Sequence, residues 1–216
     1  DDCRVTSIPS HPESITLVWL TALLCAAGLL DRGAVTSVRW EPIGTGQVGD
    51  SVRFHLDYDR PGAGPATLAG KFPAADQTSR GTAAAFGLYA KEVGFYREVA
   101  PRLDVRVPRA LAAEIAEDGV DFVLLFEDLG PARGGNQLAS CSIADARAGI
   151  RQAAALHGPS WGNDALTGID WLQPRAGQAE QIKALYGNQI KLEGIQSYIP
   201  IGKSYKEPVQ KRLFML

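Results

Sequence analysis

Residues Ser51 to Tyr58 alternate without a break. Val52, Phe54, Leu56 and Tyr58 are apolar or aromatic, and Ser51, Arg53, His55 and Asp57 are polar. A period of two places the first set on one face of a strand and the second on the other, the pattern of a half-buried antiparallel strand. The residues before it are Gly44-Thr45-Gly46-Gln47-Val48-Gly49, and a β-rich stretch from Val35 to Ile43 comes before those. The glycine cluster is therefore the tip of a hairpin. After a Gly/Pro turn at Asp59 to Pro65, a third strand is expected at Ala66 to Phe72, carrying Lys71.

The next segment reads as a helix. Thr78 or Ser79 is placed to cap it, Phe86, Ala90 and Val93 share a face, and Pro101 ends it. Val107 to Ala116 and Asp121 to Phe126 read as strands joined by the turn Glu117-Asp118-Gly119. A polar, Gly-rich loop from Gly130 to Ser140 then leads into a helix from Ile143 to about His157. Strands joined by short turns cannot be parallel neighbours, because a parallel crossover takes roughly a dozen residues or more. The expected class is α+β, with an antiparallel sheet of about five strands and one inserted helix.

A further helix is expected near the front. Ile15 to Leu30 carries no charge, but at sixteen residues it falls short of the roughly 18 that a spanning helix needs. Ser14 is a candidate N-cap and Gly28 or Gly33 a candidate stop, so a buried N-terminal helix is expected rather than a membrane anchor. Asp1, Asp2 and Glu13 precede it, where a signal peptide would have a basic region.

Composition excludes several classes. A formal charge of -2 and a pI near 6.0 leave no electrostatic footprint for nucleic acid. The cysteines Cys3, Cys25 and Cys141 lack the spacing of a zinc or redox pair and read as buried or idle thiols of a reducing cytosol. The chain has no His-Glu-x-x-His and no Gly-x-x-x-x-Gly-Lys loop.

Gly44-x-Gly46-x-x-Gly49 occurs at two kinds of phosphate site. In the dinucleotide-binding kind the loop joins a strand to a helix, whose N-terminus meets the pyrophosphate. Here a strand follows, which is the arrangement in which a glycine flap covers nucleotide phosphates. A plain hairpin turn has the same spacing. Lys71 bears on the choice: it is the only lysine in the first ninety residues, set among Leu68, Ala69, Gly70 and Phe72. Burying a lone ammonium there is costly without a partner. Glu92 on the following helix is the candidate, and the pair would grip and orient a nucleotide's α/β-phosphates. The alternative is a lysine snorkelling to water, with Lys91 or Arg97 pairing Glu92. Asp121 to Leu129 is an apolar strand ending in Glu127 and Asp128, which reads as a hinge beside adenine or as a solvated strand end.

With the loop, Lys71, Glu92 and Leu125–Leu129 in that order, residues Trp19 to Trp171 resemble the aminoglycoside-phosphotransferase and ecdysteroid-kinase-like family. The resemblance is most specific at Ile43–Ser51, at Tyr89-Ala90-Lys91-Glu92-Val93-Gly94-Phe95-Tyr96, at Leu124–Leu129, and at Leu156-His157 with Trp161. It implies a two-lobed kinase-like fold, Mg-ATP as phosphate donor and a hydroxyl of a small molecule as acceptor, in a cytoplasmic protein. It further implies that Gly44, Gly46 and Gly49 cover the phosphates, Lys71 binds them, Glu92 positions Lys71, and Glu127, Asp128 and Leu129 face adenine. On that basis residues 1–34 are an N-terminal helical segment and 35–129 the nucleotide-holding lobe. Residues 130–175 begin a helical second lobe, and 176–216 are an atypical Lys-rich tail.

The chain departs from the family at its chemistry. The catalytic His-Gly-Asp followed by Asn, and the later metal-binding Asp, are missing; His157-Gly158-Pro159 starts alike but has no Asp. His157 is expected to pack beside Leu156. Five of the seven lysines lie beyond residue 180, unlike the rest of the chain. The chain is therefore expected to be a truncated, inactive portion of a phosphotransferase, with a degenerate, non-enzymatic nucleotide-binding protein as the alternative.

Overall fold

The computed structural model describes residues 8–44, 48–132, 135 and 141–173. The chain divides into two compact units, Asp1–Leu166 and Thr167–Leu216. The expected Lys-rich tail at 176–216 lies outside the described residues. In the second unit the described part is a 3-10 turn at Asp170–Leu172, where the Gln173 side chain donates to the Thr167 and Ile169 carbonyls.

The first unit is α+β. Five strands, β1 (Val35–Pro42), β2 (Gly49–Tyr58), β3 (Thr67–Pro73), β4 (Ala110–Ile115) and β5 (Phe122–Glu127), form one sheet in the order β1-β2-β3-β5-β4. Every neighbouring pair is antiparallel. The alternation of β2 is realised as expected, with Val52, Phe54 and Leu56 buried and Ser51, Arg53 and His55 partly exposed. β4 is shorter than the expected Val107 to Ala116, because Pro108 has no N–H to donate to a ladder. The turn from β4 to β5 closes as the sequence indicated. Gly119 takes φ +70°, and the Asp118 carboxylate accepts the N–H groups of Val120 and Asp121.

Each face of the sheet carries its own core. On one, Val52, Phe54, Leu68, Phe72, Val123 and Leu125 pack with Leu20, Leu24 and Leu30 from the N-terminal segment. On the other, Phe122, Leu124 and Phe126 pack with Ala83, Tyr89 and Val93. Strand β5 is consequently buried on both sides from Phe122 through Phe126. Gly70 makes room for the edge-to-face pair of Phe54 and Phe72, since a Cβ there would come within 2.7 Å of the Phe54 ring.

The N-terminal helix α1 (Leu17–Ala26) is capped by Thr16, whose hydroxyl accepts the Trp19 N–H at 3.1 Å; Ser14 belongs to the preceding turn. Gly28, at φ +70°, follows its end. The helix is buried along one face rather than throughout: Leu20 and Leu24 are inaccessible, whereas Val18 is exposed. Each of those leucines contributes about 1.5–3 kcal/mol by burial. The Val35 N–H donates to Thr21 Oγ1 at 3.0 Å, joining α1 to β1. No helix among the described residues is long and apolar enough to cross a membrane.

The single inserted helix expected between β3 and β4 is two helices. α2 (Gln77–Phe86) is capped by Asp76 rather than by Thr78 or Ser79. Gly87, left-handed at φ +61°, ends α2 and starts α3 (Leu88–Gly94), which runs through a π turn at Phe95–Val99 into a 3-10 turn. A residue with a Cβ is disfavoured in that conformation, so the break belongs to the glycine. It rotates the buried face to Tyr89 and Val93 and leaves Phe86 and Ala90 half-buried.

The long helix α4 (Ile143–Ser160) is capped by Ser142 and continues through Gly158 and Pro159. None of its residues is fully buried; Ile143 and Ile150 are 80% and 70% exposed. His157 is exposed, not packed beside Leu156. Cys25 and Cys141 are free and exposed rather than buried.

Candidate functional site

The register of the sheet sets out the site. Ser51 lies opposite Lys71, which lies opposite Leu124; in the next row Arg53 lies opposite Ala69, and Ala69 opposite Phe126. Leu124 and Phe126 belong to the core under α3, so Ser51, Arg53, Ala69 and Lys71 share the face on which α3 packs. Between β3 and the sheet's free edge, that face is polar.

Lys71 Nζ donates to both carboxylate oxygens of Glu92, each at 2.7 Å. The side chains are 25% and 32% exposed, so the pair is neither dry nor freely solvated. Two facts hold α3 in the place that makes this contact. The buried Tyr89 hydroxyl accepts the Ala74 N–H at 3.1 Å, fastening the helix to the chain just after β3. Tyr89 also stacks on Phe122 with ring centroids 4.6 Å apart. Tyr96, one turn beyond Glu92, leans on Phe126, and burial, reinforced by the Glu92 carboxylate, pushes its phenol upward. Arg97 donates to the Ala113 carbonyl, so the alternative in which it pairs Glu92 is not the arrangement found.

Gly49 closes the site from above. A Cβ on it would stand 3.0 Å from Lys71 Cε and 3.2 Å from the Phe72 carbonyl oxygen, so any larger residue would have to push the lysine stem or the β3 backbone aside. Gly44, at φ +77°, begins the tip of the hairpin. Gly46 lies outside the described residues.

The three residues expected along the hinge do not act together. Glu127 continues the parity of Val123 and Leu125, and its side chain accepts the Arg109 N–H at 3.0 Å, on the α1 side of the sheet. Its own N–H is taken by the Arg109 carbonyl. Glu127 thus lies on the opposite face from Lys71. Leu129 is 53% exposed.

Asp128 turns back to the face of Lys71, where Arg53 holds it through Nε at 2.6 Å and a second guanidinium nitrogen at 3.3 Å. It also accepts the Gly130 N–H at 3.0 Å and a hydrogen bond from the Thr67 side chain. The Arg53 guanidinium foremost, with those further donors, holds the Asp128 carboxyl down at about 2 against a smaller desolvation effect. Arg53 escaped the sequence reading because it looked like the solvent half of an alternating strand.

Two concavities lie in the first unit. One of about 280 Å³ is bounded by Leu29, Leu68, Arg109, Leu111 and Glu127, on the α1 side of the sheet, and one of about 340 Å³ by His11, Trp40, Gly44, Gly49, Asp50 and Ser51. The second reaches the glycine hairpin that lies against the Lys71 stem. The candidate site is the groove beneath that hairpin, on the face that carries Lys71 and Glu92.

Chemically, an ammonium fixed by one carboxylate beneath closely approaching backbone is an anion grip, suited to phosphate oxygens. Among the described residues no group of three or more His, Cys, Asp or Glu side chains converges on one point. No protein-family model matches the chain, and no curated protein matches it either.

Proposed function

We propose that this chain is the nucleotide-holding portion of a kinase-like, ATP-dependent phosphotransferase of the aminoglycoside-phosphotransferase kind, whose acceptor is a hydroxyl on a cytoplasmic small molecule. The observation that carries the reading is the two-fold contact of Lys71 with Glu92 beneath Gly49. A strand lysine gripping α/β-phosphates, a helix carboxylate orienting it and a glycine hairpin above are the parts such enzymes use before any chemistry begins. The antiparallel sheet that presents them supports the same reading.

ATP fits the residues present through its phosphates. Mg is implied by the resemblance alone, and no step is derived through it. Turnover also needs a carboxylate to orient the acceptor hydroxyl, worth about 10²–10⁴ in rate for general-base help alone.

A second reading, a nucleotide-binding protein without turnover, is favoured by one specific observation. His157-Gly158-Pro159, the stretch that begins like a catalytic His-Gly-Asp, has no Asp and lies within α4.

Titrating the isotope-labelled protein with ATP, followed by NMR, tests the shared part of both readings. The expected Kd is on the order of 1 mM, with binding abolished in Lys71→Ala. Tight binding that ignores that substitution overturns the assignment. Formation of ADP and of phosphorylated acceptor from ATP and candidate acceptors separates the two readings.

A further inference from the structure

The pair of Arg53 and Asp128 has no assigned part in gripping phosphate, yet it is built with care. It joins residues 75 apart in sequence, through two hydrogen bonds from one guanidinium to one carboxylate. The Asp128 side chain is 10% exposed, and its remaining acceptor capacity is used by Gly130 and Thr67. Bidentate guanidinium–carboxylate contacts fix orientation as well as distance.

Its position is what gives it meaning. Arg53 and Lys71 share one face of the sheet, on adjacent rows, so the two ion pairs lie about 7 Å apart along the strands. Ala69 stands opposite Arg53 on β3, the next residue on the same face from Lys71, and its single methyl leaves the surface low there. A phosphate held at Lys71 would direct the rest of a nucleotide along this face, toward Asp128 and the chain that leaves β5.

Resting on the nucleotide reading, we infer that Arg53 and Asp128 are a positioning pair for the base end of the ligand. They tie the turn after β5 to the strand that carries the glycine hairpin, and so set the gap into which a nucleoside base enters. Without the tie, the strand under the hairpin loses the two hydrogen bonds that join it to this turn. Glu41, 3.8 Å from Arg53 and 3.2 Å from His55, would then draw the guanidinium toward the sheet edge.

The test compares two probes, ATP and inorganic tripolyphosphate, the second lacking sugar and base. Arg53→Ala and Asp128→Asn are expected to weaken ATP binding five- to tenfold while tripolyphosphate binding stays within twofold, with Arg53→Lys recovering part of the loss. Lys71→Ala is expected to weaken both probes. If the Arg53 and Asp128 variants lower both probes equally, or neither, while Lys71→Ala lowers both, the positioning role is wrong and the nucleotide reading stands. If Lys71→Ala changes neither probe, the nucleotide reading itself falls. Far-UV circular dichroism and a thermal melt establish that each variant folds, and Asp128→Asn, which keeps the side chain's size, serves alone should Arg53→Ala not fold.

Discussion

The Lys71 ammonium stands 2.7 Å from both carboxylate oxygens of Glu92, across 21 residues of chain. Exposed pairs of this kind are worth about 0–1 kcal/mol, and breaking buried ones costs about 3–5 kcal/mol. With a quarter to a third of each side chain open to water, solvent screens most of the attraction. A double-mutant cycle of Lys71→Met and Glu92→Gln, read by urea denaturation, is expected to give a coupling of about 1 kcal/mol that shrinks with added salt. Additive single and double mutants would show that the contact contributes nothing to the fold.

Gly49 offers a second measurement. An added methyl meets Lys71 Cε at 3.0 Å and the Phe72 carbonyl at 3.2 Å; the lysine stem can give way, the backbone cannot. Gly49→Ala is expected to cost about 1 kcal/mol and Gly49→Val about 2–3 kcal/mol, the range for overfilled sites. A shift in the Lys71 side-chain NMR signals should accompany each. Unchanged denaturation midpoints would mean that the hairpin does not lie against the lysine.

The Asp128 carboxyl makes stability depend on acid. Its folded pKa, about 2, lies below the unfolded value near 4, so its contribution is complete above about pH 4. The contribution is lost as pH falls through about 2. Asp128→Asn is therefore expected to be less stable than the parent at neutral pH, by about 1–3 kcal/mol as for a hydrogen-bonded charge. The gap should close between about pH 4 and 2. A gap that stays constant over that range would place the destabilisation elsewhere.

Helix α4 presents Ile143 and Ile150 to solvent two turns apart. Replacing both with lysine is expected to change stability by no more than about 0.5 kcal/mol, as for other surface positions. It should also reduce binding of a hydrophobic dye and any self-association. Dye binding that persists unaltered would put the exposed apolar surface on another part of the chain.

The Lys71–Glu92 pair was legible because a charge in an apolar strand is conspicuous, and the nearest following helix supplied one acid at the right depth. The Arg53–Asp128 bridge was not. Arg53 has the parity of Ser51 and His55, which reads as solvent, and its partner becomes visible only once β2, β3 and β5 are in register. Glu127 was misjudged for a related reason. A strand buried on both faces shows no alternation, so nothing in Phe-Val-Leu-Leu-Phe-Glu reveals that the glutamate points away from Lys71. The split at Gly87 was hidden by helix-forming residues on either side, which mask a glycine whose φ is positive only in the folded chain. The caps shifted by two or three positions because Thr16 competed with Ser14, and Asp76 with Thr78 and Ser79.

Strand β5 is a wall shared by two rooms. The side chains that roof the Lys71 groove and those that seat α1 alternate along the same six residues, so neither core can be emptied without loosening the other. A chain begun at Ala34 would strip Leu20, Leu24 and Leu30 from Phe54, Phe72 and Leu125, and water would reach the underside of the strand whose upper side packs against α3 and its Glu92. The short helix ahead of the sheet is, in that sense, the floor on which the groove stands.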